Sequence, residues 1–209
     1  MLEKQIKTTT LLHCLIYLLI LGALHLFLRK THLTLWYDPQ EKKHLLQDFL
    51  YAVGAWIIAF SLVFALQRIL QLMLAYFFHI FELPDQVAVY ILKMTLQYPL
   101  YLLFTLTTIV LLAPLVEELL FRGFLQSYFR RYLSAQWAIV LTSLIFALFH
   151  FSVAQKMSNI PILLSLFTLA LFLGWLYEKQ RSLIAPIALH ILFNGVNAIQ
   201  LYTQSGCAL

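Results

Sequence analysis

Long apolar runs separated by short charged clusters make up almost the whole chain. The first run, residues 9–28, has 20 uncharged residues and ends at a basic pair, which is the length and the boundary of a membrane-spanning helix. A second uncharged run covers residues 49–66, and after Arg68 comes a shorter run at residues 69–81. Because 13 helical residues reach only about 20 Å, this shorter run predicts either a short crossing or a helix lying in the membrane interface.

The second half of the chain contains prolines within its apolar runs. The run at residues 95–116 includes Pro99 and Pro114. Proline lacks a backbone N–H and fixes φ, so Pro114 predicts a helix break, with a new helix running from Leu115 to Tyr132. Three further spans are predicted, at residues 135–151, 160–177 and 182–201.

The composition is that of a membrane protein. Hydrophobic residues make up 62% of the 209 residues and charged residues 11%, whereas soluble domains have about 25% charged residues. In lipid each segment must satisfy its own backbone hydrogen bonds, and the uninterrupted runs exclude the alternating pattern of a membrane barrel. We therefore predict an all-α, polytopic transmembrane bundle of about seven to eight helices. It forms a single domain, with N-terminal helices of unassigned role in residues 1–94 and a helical core in residues 95–201.

The net charge of +5 comes mainly from short basic clusters at the ends of the runs. Such clusters are typical of contacts with lipid headgroups and of topology signals, and not of a nucleic-acid-binding surface. In an eight-helix topology, nine basic residues, Lys93 among them, gather on one side and four on the other. The richer side is predicted to be cytoplasmic, so a site near the opposite surface would open outward. The pattern predicts no oligomeric state.

The stretch Leu115 to Gly123 places three ionisable side chains, Glu117, Glu118 and Arg122, within an apolar run. An ionised side chain at the centre of a bilayer costs roughly 2.5 to 3.5 kcal/mol, so the structure must shelter them. Glu118 and Arg122 are four residues apart and share one helical face, which lets Arg122 hold Glu118 ionised. Glu117 lies about 100° around the helix and is left as a candidate general base. The alternative is a structural ion pair between Glu118 and Arg122 within the helix, with Glu117 among the lipid headgroups.

Further polar residues lie in the spans that follow. His150 comes one turn after Phe146, and His190 and Asn194 share one face of the last span. At 1.5 Å per residue, Glu117, His150 and Asn194 lie about 20 to 24 Å from the membrane surface marked by the basic helix ends, and His190 about 14 Å. One cavity near the opposite surface could collect these four side chains. Hydrogen bonding between helices is the alternative role for them.

A carboxylate, two imidazoles and a carboxamide fit two chemistries. Glu117 could take a proton from water with help from His150, while His190 and Asn194 donate to an oxyanion, as peptide-bond hydrolysis requires. Alternatively, Glu117, His150 and His190 could bind a divalent metal such as zinc and leave one position open. The signatures Gly-x-Ser-Gly, His-Glu-x-x-His and Gly-x-Gly-Asp are absent from the sequence, which disfavours serine, zincin-type and aspartyl mechanisms.

Three motifs in this order resemble the CAAX prenyl protease and bacteriocin-processing family of intramembrane endopeptidases, also called the Abi family. The motifs are Glu117-Glu118-x-x-x-Arg122, Phe146-x-x-x-His150 and His190-x-x-x-Asn194. The resemblance covers roughly residues 111–201. It implies a bundle of about eight helices, which agrees with a crossing at residues 69–81.

The resemblance also implies a role for each motif residue. Glu117 would be the catalytic base, His150 would assist the water, and His190 and Asn194 would form the oxyanion hole. The remaining motif residues, Glu118, Arg122 and Phe146, would be supporting residues. The family has been described as metalloproteases, but the resemblance favours a glutamate mechanism without a metal or other cofactor.

The resemblance does not select a substrate. Eukaryotic relatives cleave after a prenylated cysteine, whereas bacterial relatives are linked to peptide processing, bacteriocin immunity or regulatory proteolysis. We expect a hydrophobic or lipidated peptide substrate, in a bacterial cell membrane or, for a eukaryotic chain, in the endoplasmic reticulum. The alternatives are a non-catalytic immunity or peptide-binding protein and, less favoured, a small transporter, because transporters also carry buried Glu and His residues.

Overall fold

The computed structural model describes residues 2–31 and 45–205, which form helices joined by short connections, without a strand among them. The seven helices of this part are α1 Leu2–Thr31, α2 Leu45–Phe78, α3 Val87–Thr95, α4 Pro99–Phe129, α5 Ala135–Phe149, α6 Asn159–Gln180 and α7 Ile184–Gln204. Within the described ranges, five helices are long and apolar enough to cross a membrane, namely all but α3 and α5. The prediction of an all-α, multi-pass membrane protein is confirmed.

Residues 49–66 and 69–81, predicted as separate elements, belong largely to one helix. Helix α2 runs for 34 residues without a break, so the expected crossing at residues 69–81 is wrong. Arg68 does not end the helix because its side chain finds partners along it. Its Nη1 donates to Gln71 Oε1 at 3.2 Å, and its guanidinium carbon lies 5.1 Å from the centre of the Phe64 ring.

The single helix α2 changes the predicted topology. One helix replaces two expected crossings, and α3 has only 9 residues, which is too short to span a bilayer. The described residues thus form seven helices, within the predicted seven to eight, and in this arrangement Lys93 moves to the side with fewer basic residues. Most basic residues remain on the side predicted to be cytoplasmic, although Lys42 and Lys43 of that group lie outside the described residues.

Helix α4, which carries the two adjacent glutamates, continues through Pro114, where we predicted a break. It starts at Pro99 and not at residue 95, because residues 87–95 form α3. The helix widens into π-helical turns at Thr107–Leu112 and at Leu119–Gln126. In a π-turn each N–H bonds to the carbonyl five residues back instead of four. This shift lets the helix continue past Pro114, which has no backbone N–H. The break is wrong because the helix absorbs the proline in this way.

Helix α6 lies at the centre of the bundle and packs against α2, α5 and α7. Its buried side chains Leu169, Leu173 and Leu176 share a core cluster with Ala52 and Ala55 of α2. Small residues at such contacts let two membrane helices approach closely. Helix α1 packs against α3 and α4 and leaves most of its apolar surface outside the bundle. The charged residues of α4 therefore lie between a tightly packed core and a loosely packed first helix.

Polar side chains of α4 bond to acceptors that lie along one face of α6. Arg122 Nη2 donates to the carbonyl of Ala170 at 3.1 Å. One turn further on, Gln126 Nε2 donates to the carbonyl of Gly174 at 3.1 Å and to Glu178 Oε1 at 3.0 Å. Donors and acceptors both follow a spacing of four residues, so together these five residues, which we call the polar ladder, fix the register of α4 on α6.

Gly174 allows this close approach, and we predict that Gly174→Ala destabilises the protein. A Cβ atom at this position would lie 2.9 Å from Gln126 Oε1 and 3.0 Å from Ile139 Cγ2. Because Nε2 of Gln126 bonds to the carbonyl of Gly174 and to Glu178, the amide cannot move away from α6 without losing these bonds. Such overpacking costs about 1 to 3 kcal/mol. Thermal unfolding of the purified protein in detergent measures the loss.

The matched control for this change is Gly54→Ala in α2. Nothing lies within 4 Å of a Cβ atom at that position, so the added methyl group should be neutral or stabilise the helix by up to about 1 kcal/mol. An equal response of the two variants would contradict the packing argument.

Candidate active site

The ion pair between Glu118 and Arg122 lies fully inside the protein. Arg122 Nη1 is 3.1 Å from Glu118 Oε1, and both side chains are 0% exposed. The Arg122 guanidinium also donates to Ala170 and lies 4.8 Å from the centre of the Phe146 ring. The pair is thus enclosed by α4, α5 and α6, which explains how an apolar chain tolerates two charges at this depth.

His190 of α7 joins this pair from the opposite side. Its Nδ1 lies 2.9 Å from Glu118 Oε1, and the ring is almost fully buried. A carboxylate that is paired with arginine can only accept, so Nδ1 of His190 carries the hydrogen and donates it. The other ring nitrogen, Nε2, faces Glu117 and lies 3.8 Å from its Oε2. Glu118 therefore orients His190 toward Glu117.

Of the two carboxylates, Glu117 is the more exposed and has the longer contact, which its place on the helix indicated. Its side chain is 18% exposed, and its 3.8 Å approach to His190 is longer than a hydrogen bond. It interacts electrostatically with His150 and with Tyr17 of α1 as well. The structure thus brings Glu117, His150 and His190 into one neighbourhood.

His150 follows the last residue of α5, where the backbone leaves the helix. Its Nδ1 is 2.9 Å from the carbonyl oxygen of Phe146. A carbonyl only accepts, so Nδ1 is the donor and Nε2 of a neutral ring is left as an acceptor. Such a bond also satisfies a carbonyl of the last helical turn, which has no partner within the helix.

The ring of Phe146 contacts both imidazoles. The centre of its ring lies 4.9 Å from that of His150 and 6.0 Å from that of His190. The ring is completely buried and also contacts Phe121 edge to face. Phe146 thus holds both histidines and Arg122 apart at fixed distances.

Asn194 lies one turn after His190 on α7 and also points at α4. Its Nδ2 donates to the backbone carbonyl of Ile109 at 3.0 Å. This contact lies more than one turn before Glu117 along α4. The predicted grouping of His190 and Asn194 on the face toward α4 is thus present, whereas the oxyanion role of Asn194 stays a prediction.

The alternative metal site would use side chains of Glu117, His150 and His190. Within residues 2–31 and 45–205, no group of three or more His, Cys, Asp or Glu side chains is arranged to hold a metal ion. Two imidazole nitrogens of the proposed ligand set are already used, Nδ1 of His150 by a carbonyl and Nδ1 of His190 by Glu118. Nε2 of each ring is left for another partner, and metal-bound histidines commonly have their second ring nitrogen bonded in this way, so the metal-dependent form stays an alternative prediction.

Our sequence reasoning missed two residues near the site. Gln126 is fully buried and belongs to the polar ladder, and it could have been found because it continues the spacing of four that relates Glu118 to Arg122. Tyr17 comes close to Glu117 only through the packing of α1 on α4, and no pattern in the sequence marks it.

Comparisons with known proteins concern mainly the C-terminal half. Residues 99–196 match the family model described as type II CAAX prenyl endopeptidase Rce1-like. A protein of Escherichia coli with the description "Uncharacterized 24.3 kDa protein" is 37% identical over 89 residues, which are 42% of this chain and 39% of that protein. The matched part is therefore about two fifths of the length of that relative. No solved structure matches the chain.

We predict that Arg122→Met destabilises the protein far more than Arg130→Met. Arg122 is buried with Glu118, and removing one partner of a buried pair costs about 3 to 5 kcal/mol because the other charge is left unpaired. Arg130 pairs with Glu178 at the same distance of 3.1 Å, but these side chains are 40% and 22% exposed, so its loss should cost no more than about 1 kcal/mol. Denaturant unfolding of the two variants in the same detergent tests the contrast, and similar losses would contradict it.

Proposed function

We propose that this multi-pass membrane protein is an intramembrane endopeptidase, because residues 99–196 match the family model described as type II CAAX prenyl endopeptidase Rce1-like. Residues 95–201 would form its catalytic core, and Glu117 would activate the water that cleaves the peptide bond. The observation that carries the proposal is the position of Glu117 beside His190, whose Nδ1 bonds to Glu118, and near His150, whose Nδ1 bonds to the Phe146 carbonyl.

Glu117 and His150 would share the attacking water. Glu117 would accept one proton of the water as general base, and the unprotonated Nε2 of His150 would accept a hydrogen bond from the other. The resulting hydroxide attacks the carbonyl carbon of the scissile bond. When the tetrahedral intermediate collapses and the C–N bond breaks, Glu117 returns its proton to the leaving nitrogen.

The oxyanion would be stabilised from helix α7. In its doubly protonated form, His190 donates from Nδ1 to Glu118 and from Nε2 to the oxyanion. We propose His190 as the main oxyanion donor, since Asn194, the second donor that the sequence predicts, bonds to the Ile109 carbonyl.

We propose a hydrophobic or lipidated peptide as substrate, bound from the bilayer, and a bacterial cell membrane as the location. The description of the matched family names a prenylated motif, and the apolar side chains around α4 are compatible with a lipid chain. A peptide-binding protein without catalysis would use the same cluster, and the following experiment separates the two.

We predict that Glu117→Gln abolishes cleavage and leaves the fold intact. The change keeps the shape of the side chain and removes the base, and general-base catalysis typically contributes about 10²- to 10⁴-fold to the rate. The assay follows an internally quenched peptide with an S-farnesyl cysteine in a C-terminal CAAX sequence, cleaved by protein in proteoliposomes. Its counterpart without the farnesyl group tests whether the lipid is needed.

The matched control is Glu82→Gln, which removes an exposed carboxylate of the loop between α2 and α3. This variant should cleave like the native protein. Full activity of Glu117→Gln would contradict the proposed base. Binding of the peptide by the native protein without any cleavage would favour the peptide-binding alternative.

We also predict that chelators leave the activity unchanged, because the proposed mechanism uses a glutamate and two histidines without a metal. Protein dialysed against 1,10-phenanthroline and against EDTA should cleave the farnesylated peptide at the native rate. Loss of activity that added Zn²⁺ restores would instead favour the metal-dependent form.

A further inference from the structure

The backbone of α4 contains a carbonyl that its own helix cannot satisfy. In a regular α-helix the carbonyl of Ile109 would accept from the N–H of Ala113, but in the π-turn this N–H bonds to the carbonyl of Thr108. In a continued π-turn the donor would be residue 114, which is proline and has no N–H. Both normal donors to the Ile109 carbonyl are therefore lost.

Asn194 of α7 replaces these missing donors. Its Nδ2 lies 3.0 Å from the Ile109 carbonyl oxygen, in a partly buried position. In a membrane a carbonyl without a donor is costly, since lipid offers no hydrogen bonds. The side chain of Asn194 thus stabilises the widened turn of α4 from outside that helix.

The widened turn decides where Glu117 points. A π-turn adds one residue relative to a regular helix, and one residue turns all later side chains by about 100° around the axis. The turn at Thr107–Leu112 ends five residues before Glu117. If it reverted to a regular helix, Glu117 would turn away from His190, which lies on the same helix as Asn194.

We propose that Asn194 is a positioning residue, which acts mainly by holding the π-turn of α4 so that Glu117 faces His190 and His150. This role rests on the proposed function and differs from donation to the oxyanion, because it acts through Glu117 and not on the substrate. It also explains why Pro114 is tolerated within a helix that carries the proposed catalytic base.

A double-mutant cycle between Asn194 and Pro114 tests the proposal. Asn194→Leu keeps the size of the side chain and removes its donors. Pro114→Ala restores an N–H that can reach the Ile109 carbonyl, so it replaces the donor that Asn194 supplies. The probe is the farnesylated quenched peptide, with kcat, KM and the melting temperature measured for the native protein, both single variants and the double variant.

We expect Asn194→Leu to lower kcat at least about tenfold with KM changed less than about twofold, since positioning acts on the reaction step. In the Pro114→Ala background the same substitution should lower kcat no more than about threefold, because the two sites are coupled. The matched control is Asn197→Leu on the same helix. Asn197 is exposed and bonds only within its own helix, to Phe193, so its loss should change neither constant.

Two outcomes overturn the positioning role. An equal loss of kcat in both backgrounds would show that Asn194 acts directly on the reacting group, and a lower melting temperature with unchanged kcat would show a structural role only. Failure of the proposed function has a different signature. In that case Glu117→Gln is as active as the native protein, and coupling between Asn194 and Pro114 is seen in the melting temperature alone.

Discussion

The carboxylate of Glu118 is the interaction on which the rest of the site depends. Its Oε1 lies 3.1 Å from Arg122 and 2.9 Å from His190, so one buried oxygen links α4 to α7. Arg122 extends the link to α6 through the Ala170 carbonyl. Removing this one carboxylate would leave a buried guanidinium and a buried imidazole without their acceptor, which a low-dielectric interior penalises strongly.

Glu117 and Glu118 are neighbours in the sequence but have separate tasks. Glu118 is fully buried and bonded to both Arg122 and His190, whereas Glu117 is partly exposed and lies 3.8 Å from His190. The difference arises because adjacent residues point about 100° apart on a helix, one into the bundle and one toward the space between the histidines. The weaker contacts of Glu117 suit the role of general base that we propose for it.

Much of the site could be predicted from spacing. The pairs Glu118 with Arg122 and His190 with Asn194 are each four residues apart, and a helix brings such residues to one face whatever its surroundings. The widened turn at Thr107–Leu112 could not be predicted, because its Ile109 carbonyl accepts a hydrogen bond from another helix. The break expected at Pro114 was wrong for this reason, since Asn194 supplies a hydrogen bond that local rules do not include. Sequence patterns likewise gave no signal that α2 would pass Arg68 without ending.

The length of α2 has a consequence for the surrounding bilayer. A helix of 34 residues is about 51 Å long, while the hydrocarbon layer is only about 30 Å thick. Such a mismatch is relieved by tilt, by local thickening of the lipid or by several turns that project into the headgroups. Because α2 packs on α6 and α7, any change in its tilt is transmitted to the helices that carry the polar ladder and His190. Membrane thickness therefore acts on the tilt of α2 and, through it, on the helices packed against it.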